Sequence, residues 1–206
     1  MRRHNDQSSG VGILVESRPG PNAVFPAGSQ PVGMARCFHY RTTDRYDVLR
    51  SKPFVLADAR RGDAGDVDAM HQVTSRFYRL IFIDSGNDES DPLWKRMIDL
   101  SNQLVVATTK DEHAEAGALL MEALADRDER SAALADDAVV IVSESNDSAK
   151  ATEADEVRNG FSKLAREAVS IPYDPAMVDG VLHYDALRSG TQRARLRAAA
   201  AVARGL

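Results

Sequence analysis

The sequence's clearest chemistry lies where the apolar run Leu80-Ile81-Phe82-Ile83 meets Asp84-Ser85-Gly86-Asn87-Asp88. A continuous apolar run reads as a strand covered on both faces, as in a parallel sheet flanked by helices. Asp84 then stands at the carboxyl end of the strand, where open α/β sheets place their ligands. A carboxylate followed by a glycine turn is a common mount for magnesium and phosphate chemistry, since a hard cation takes oxygen ligands and glycine lets the backbone approach closely. The same residues also read as a core strand followed by a turn, with Asp84 capping the next helix.

Other residues with chemical capacity are isolated. His71 and His113 have no second ligand four residues away, so they read as solvated or capping side chains. Ser85 lacks the Gly-x-Ser-x-Gly pattern of a nucleophile elbow and reads as a turn serine. Ser9-Gly10-Val11-Gly12-Ile13-Leu14 superficially resembles a phosphate-binding loop, but Ile13 stands where the lysine belongs, no strand is expected before it, and no Gly-Lys dipeptide occurs anywhere in the chain. Arg188, Arg193, Arg195, Arg197 and Arg204 concentrate positive charge at the end of the sequence. They read as the solvated face of a terminal helix, which the helix dipole also favours.

The elements that must carry these residues follow from periodicity and punctuation. Pro19-Gly20-Pro21, Pro26-Ala27-Gly28 and Pro31-Val32-Gly33 make residues 1–40 an irregular arm, and residues 41–206 an α/β domain. Tyr46–Leu49 and Phe54–Ala57, split by Pro53, read as short strands or as an edge strand and a loop, with a turn over 58–63. Val67, Met70, Val73 and Phe77 predict a helix over 66–79 leading into the Leu80 strand. Asp91-Pro92 opens a second helix, with Trp94 in its core face. Strands over 104–107, 138–142 and 169–171 alternate with helices over 111–127, 153–168 and 192–204. Ala116, Leu119, Leu120, Ala123 and Leu124 form the apolar side of the first of these helices. Alternation of this kind means βαβ units and a mainly parallel sheet flanked by helices.

Composition bounds the rest. A chain of 206 residues is the length of one sizeable α/β core, and its net charge of −5 argues against a surface built wholly for nucleic acid. Cys37 is the only cysteine, which excludes a disulfide framework and fits a reducing cytosol. No apolar run reaches the roughly 20 residues of a membrane span, and polar Asn5-Asp6-Gln7-Ser8 after the first arginines does not read as a signal peptide.

Three segments, taken with their spacing, resemble the ParA/MinD group of P-loop ATPases, in particular its divergent actinobacterial MinD-like members. They are Ile83-Asp84-Ser85-Gly86-Asn87, Ile98 to Thr109, and Ile171-Pro172-Tyr173-Asp174-Pro175 through Gly180. The resemblance covers about residues 46–206. It implies a P-loop NTPase-like fold and a nucleotide-dependent positioning or chromosome-partitioning ATPase using ATP and Mg2+. Asp84 would hold the metal, Gly86 would let the backbone meet the γ-phosphate, and Pro172 and Asp174 would lie beside the base. Ser143 occupies the place of an adenine-reading asparagine. The family's glycine-rich loop and its lysine have no counterpart here. Two readings stay open: a truncated or degenerate ATPase with little hydrolysis, or a non-enzymatic protein-binding scaffold that keeps only the fold. A homodimer or a partner protein goes with either. The resemblance also implies a second reading of the terminal arginines, as a weak nonspecific contact with DNA, because ParA-type relatives bind DNA through basic surface near this end.

Overall fold

The computed structural model describes residues 11–16, 38–41, 46–49, 63–109, 112–144, 151–178 and 183–206. Among these residues seven strands appear: β1 (Val11–Glu16), β2 (Phe38–Arg41), β3 (Tyr46–Leu49), β4 (Leu80–Asp84), β5 (Gln103–Thr108), β6 (Val139–Ser143) and β7 (Glu167–Ile171). Six α-helices accompany them among the described residues: α1 (Ala64–Thr74), α2 (Pro92–Leu100), α3 (Glu112–Arg127), α4 (Glu129–Asp136), α5 (Ala151–Phe161) and α6 (Ser189–Ala203). β2 and β3 form a separate antiparallel pair. The other five strands form one sheet in the order β4-β1-β5-β6-β7.

The expected α/β architecture is present in β5, β6 and β7, which are mutually parallel and flanked by helices. The sheet becomes mixed at β1, which runs antiparallel to both β4 and β5. Val11–Glu16, expected in an irregular arm, is therefore an inner strand of the sheet. Residues 38–40, also expected in the arm, belong to β2, while the expected strand over 54–57, most of the turn over 58–63 and the arm's other residues lie outside the described residues.

Strand alternation sends side chains to two cores. Leu104, Val106, Val140 and Val142 meet α2, α3, α4 and α5 on one face, with Trp94, Ile98 and Phe161 among the buried residues there. Val139, Val169 and Ile171 turn to the opposite face and meet Ala194, Ala198 and Ala201 of α6. Small residues at that helical spacing let α6 lie close on β6 and β7.

β4 departs from the expectation of a strand buried on both faces. Ile81 and Ile83 pack on the first core, but Leu80 and Phe82 point to the other face and stay 49% and 72% exposed. The reason is position: β4 is the rim of the sheet, and α6 is engaged at the opposite rim.

The helix starts explain themselves chemically. Asp63 and Asp66 form a reciprocal capping box on α1, which ends at Thr74, short of the expected 79. Asp91 accepts the Leu93 N–H at 2.8 Å and Pro92 occupies the first turn of α2, as Asp91-Pro92 predicts. α5 ends at Phe161, short of the expected 168, and residues from Glu167 belong to β7. On α3 the buried side is Gly117, Leu120, Met121 and Leu124, while Ala116, Leu119 and Ala123 face outward.

Candidate functional site

The carboxyl ends of β4, β5, β6 and β7 share one rim of the sheet, so Asp84, Thr108, Ser143 and Ile171 close their strands on the same side. The reversed β1 brings its amino end there: Gly12 pairs with Asp84, and Val11 with Val106. The four site residues expected from the sequence fall into two groups on this rim. Asp84 and Gly86 follow β4, while Pro172 and Asp174 follow β7. Four interstrand steps of about 4.8 Å separate the two strands, or roughly 19 Å. A single ligand touching both groups would have to cross the full width of the sheet.

At β4, Asp84 is exposed and its Oδ1 accepts the Gly86 N–H at 3.2 Å. Gly86 has φ +66, the left-handed conformation that glycine adopts without strain. The turn is thus a closed Asx turn. Beyond it the Asp88 carboxylate accepts from the Ser90 N–H at 3.2 Å, and Asp91 caps α2. Among the described residues no three His, Cys, Asp or Glu side chains converge as metal ligands.

At β7, Asp174 is 1% exposed and its carboxylate is spent inside the fold. Oδ1 accepts the Ala176 N–H at 3.1 Å, and Oδ2 accepts the Arg188 N–H at 2.7 Å. Burial pushes this carboxyl up, but the Arg188 and Ala176 N–H groups and the Arg188 charge outweigh it and hold the acid below its ordinary value. Asp174 therefore joins the loop after β7 to the start of α6. Its neighbour Pro172 is half-buried, and the Tyr173 N–H donates to Glu144 Oε2 at 3.3 Å. The signal for this structural role was in the sequence: Asp174-Pro175 repeats Asp91-Pro92, and both aspartates cap the short helix that follows.

Two further features decide what the rim can hold. A phosphate cradle forms where a strand's carboxyl end runs through a loop into a helix whose free N–H groups face the anion. In the slot between β4 and β5 the chain enters a strand at this rim instead of leaving one, so β1 forms no such strand-to-helix passage. Three of the helices that start from strands on this rim begin with acids: Asp91 at α2, Glu112 and Glu115 at α3, and Glu153 at α5; α6, after β7, has none in its own first turn, but the Asp174 carboxylate accepts its Arg188 N–H. Carboxylates there already neutralise the positive helix ends and repel a polyphosphate.

Magnesium bound through one carboxylate takes much of its remaining shell from water and substrate phosphates. With no cradle among the described residues to deliver those phosphates, the described residues do not fit a Mg–ATP pair. Comparison with protein families, with characterised proteins and with solved structures yields no match.

Proposed function

We propose that this chain is a binding protein on a ParA/MinD-like α/β scaffold, a relative of the positioning and partitioning ATPases that works through a partner protein and without ATP turnover. The observation that carries this reading is the reversed β1, with Gly12 opposite Asp84 in the slot where a phosphate-binding strand would have to run outward. Phosphoryl transfer in P-loop proteins rests on positioning and charge neutralisation. Loss of one preorganised donor commonly costs a factor of about 10² to 10³, and here a whole set lacks a scaffold.

The test is phosphate release by the full chain with magnesium and ATP, beside Asp84→Ala. Both proteins should remain at the buffer background, and a fluorescent ATP analogue should show no saturable binding. Release by the wild type that Asp84→Ala abolishes would overturn the reading. It would return Asp84 and Gly86 to the metal and phosphate roles that the family resemblance implies.

A further inference from the structure

β4 is the rim strand of the five-stranded sheet, and among the described residues it pairs on one side only, with β1. Natural edge strands are usually blunted by a lysine, a proline, a bulge or a covering element, because an open row of backbone N–H and C=O groups invites another strand. From Leu80 to Ile83, β4 carries no charge and no proline, and its register with β1 is unbroken from Leu80–Glu16 to Asp84–Gly12. The side chains that leave the first core, Leu80 and Phe82, are also the exposed ones.

We propose that the partner of this edge is β4 of a second copy of the chain, paired antiparallel about Ile81 so that two sheets continue as one. This inference does not depend on the reading of nucleotide chemistry given above. Its basis is the self-complementarity of the strand. In an antiparallel pair, directly opposed residues share a face, and a two-fold axis through the sheet makes their numbers sum to a constant. Keeping the exposed side chains on one face leaves three overlapping registers, centred on Ile81, Phe82 or Ile83. Centring on Phe82 sets Leu80 against Asp84, and centring on Ile83 sets Phe82 against Asp84; both press a carboxylate on an apolar side chain. Centring on Ile81 sets Leu80 against Phe82 twice, an aromatic–aliphatic pair of the kind that stabilises sheets.

Two phenyl rings, two leucines and one short strand pair cover less than the roughly 1,000 Å² of a stable interface. The dimer is therefore weak and depends on concentration.

Sedimentation equilibrium of the full chain from about 10 μM to about 1 mM spans the range open to an interface of this size. It should show a reversible monomer–dimer equilibrium. Phe82→Lys should raise the dissociation constant at least about tenfold, as the loss of a central aromatic anchor does. Phe82→Thr, which keeps β propensity, serves if the lysine variant does not fold. Leu196→Lys, on exposed α6 surface far from β4, should leave the equilibrium unchanged. In a Cys37→Ser background, mixed Leu80→Cys and Phe82→Cys copies should form a disulfide with each other faster than either forms one with itself. A monomer at every concentration, a dimer indifferent to Phe82, a dimer weakened equally by Leu196→Lys, or a preference for Phe82→Cys self-pairing would each overturn the proposal.

Discussion

The two rims of this sheet are built differently. At β7 both faces are covered: Val169 and Ile171 meet α6, while Ala168 packs toward the helices of the other side. The amino end of that rim is clasped by polar groups. Gln103 is fully buried and donates to the Asp137 carbonyl at 2.6 Å. Arg166 pairs with Asp137 at 2.7 Å and donates to the Ala201 carbonyl at 3.0 Å, while Glu167 pairs with Arg204. At β4 one face is packed and the other holds two apolar side chains toward solvent. A strand that is covered and clasped contributes to stability through every buried side chain, whereas an open one contributes through half of them. Selection for folding alone explains β7; it does not explain why Phe82 stands exposed.

The largest effect that could break this contrast is in the two rims' response to truncation. Ile171→Ala should lower the unfolding free energy by about 2–4 kcal/mol, since it removes buried methylenes between β7 and α6 and leaves a cavity. Phe82→Ala, at an open position, should change it by less than about 0.5 kcal/mol. Urea denaturation at a protein concentration low enough to keep the chain monomeric measures both. Equal losses would mean that β4 is as covered as β7.

That contrast also marks what could be read from the residues alone. Helix α2 was legible because Asp91-Pro92 is a local chemical signal, and β5 and β6 because their apolar runs lie between helices. The open face of β4 was not legible, because Leu80-Ile81-Phe82-Ile83 is the same string whether one face or two are covered; only sheet order decides it. β1 was hidden for a related reason. Its six residues sit among glycine and proline punctuation, and their partners are about 70 and 90 positions away, beyond any local pattern. Helix α4 was missed because its buried residues are Ser131, Leu134 and Ala135, an apolar face too thin to show a period, although Asp128 caps it through the Ser131 N–H at 2.8 Å. At the site, Asp84 and Gly86 were placed correctly at a strand end, while Asp174 was drawn toward a ligand role by resemblance when its own Asp-Pro dipeptide indicated a cap.

The acid response of the clasped rim is the next sharpening. Asp174 is held below its ordinary value, so the stability it contributes is fully present above its unfolded value, near pH 4, and is lost as pH falls through the lowered folded value. Asp174→Asn should therefore lower the denaturation midpoint at neutral pH and flatten the acid limb of the stability profile. The two profiles should converge at the acid end, where the wild-type carboxyl is protonated in both states. An acid limb as steep in the variant as in the wild type would show that the tie from the β7 loop to α6 is made by something other than this carboxylate.

The smallest expected effect concerns what the covered rim shows to solvent. α6 covers β7 with its alanine face and carries the terminal arginines, but these are not equivalent. Arg204 is engaged with Glu167, Arg195 is half-buried with its Nη2 3.3 Å from Met177 Sδ, and only Arg193 and Arg197 of the three mid-helix arginines lie open. Two open guanidinium groups on a chain of net charge −5 make a poor DNA surface. Duplex retention at low salt should differ less than about twofold between the wild type and Arg193→Ala/Arg195→Ala/Arg197→Ala. If all three met phosphates, the slope of log affinity against log salt would shallow by about 2.7, at about 0.9 per contact, and retention would fall steeply in the variant. That result would make the clasped rim the working surface and leave the open one as packing that never closed, reversing the assignment drawn from Phe82.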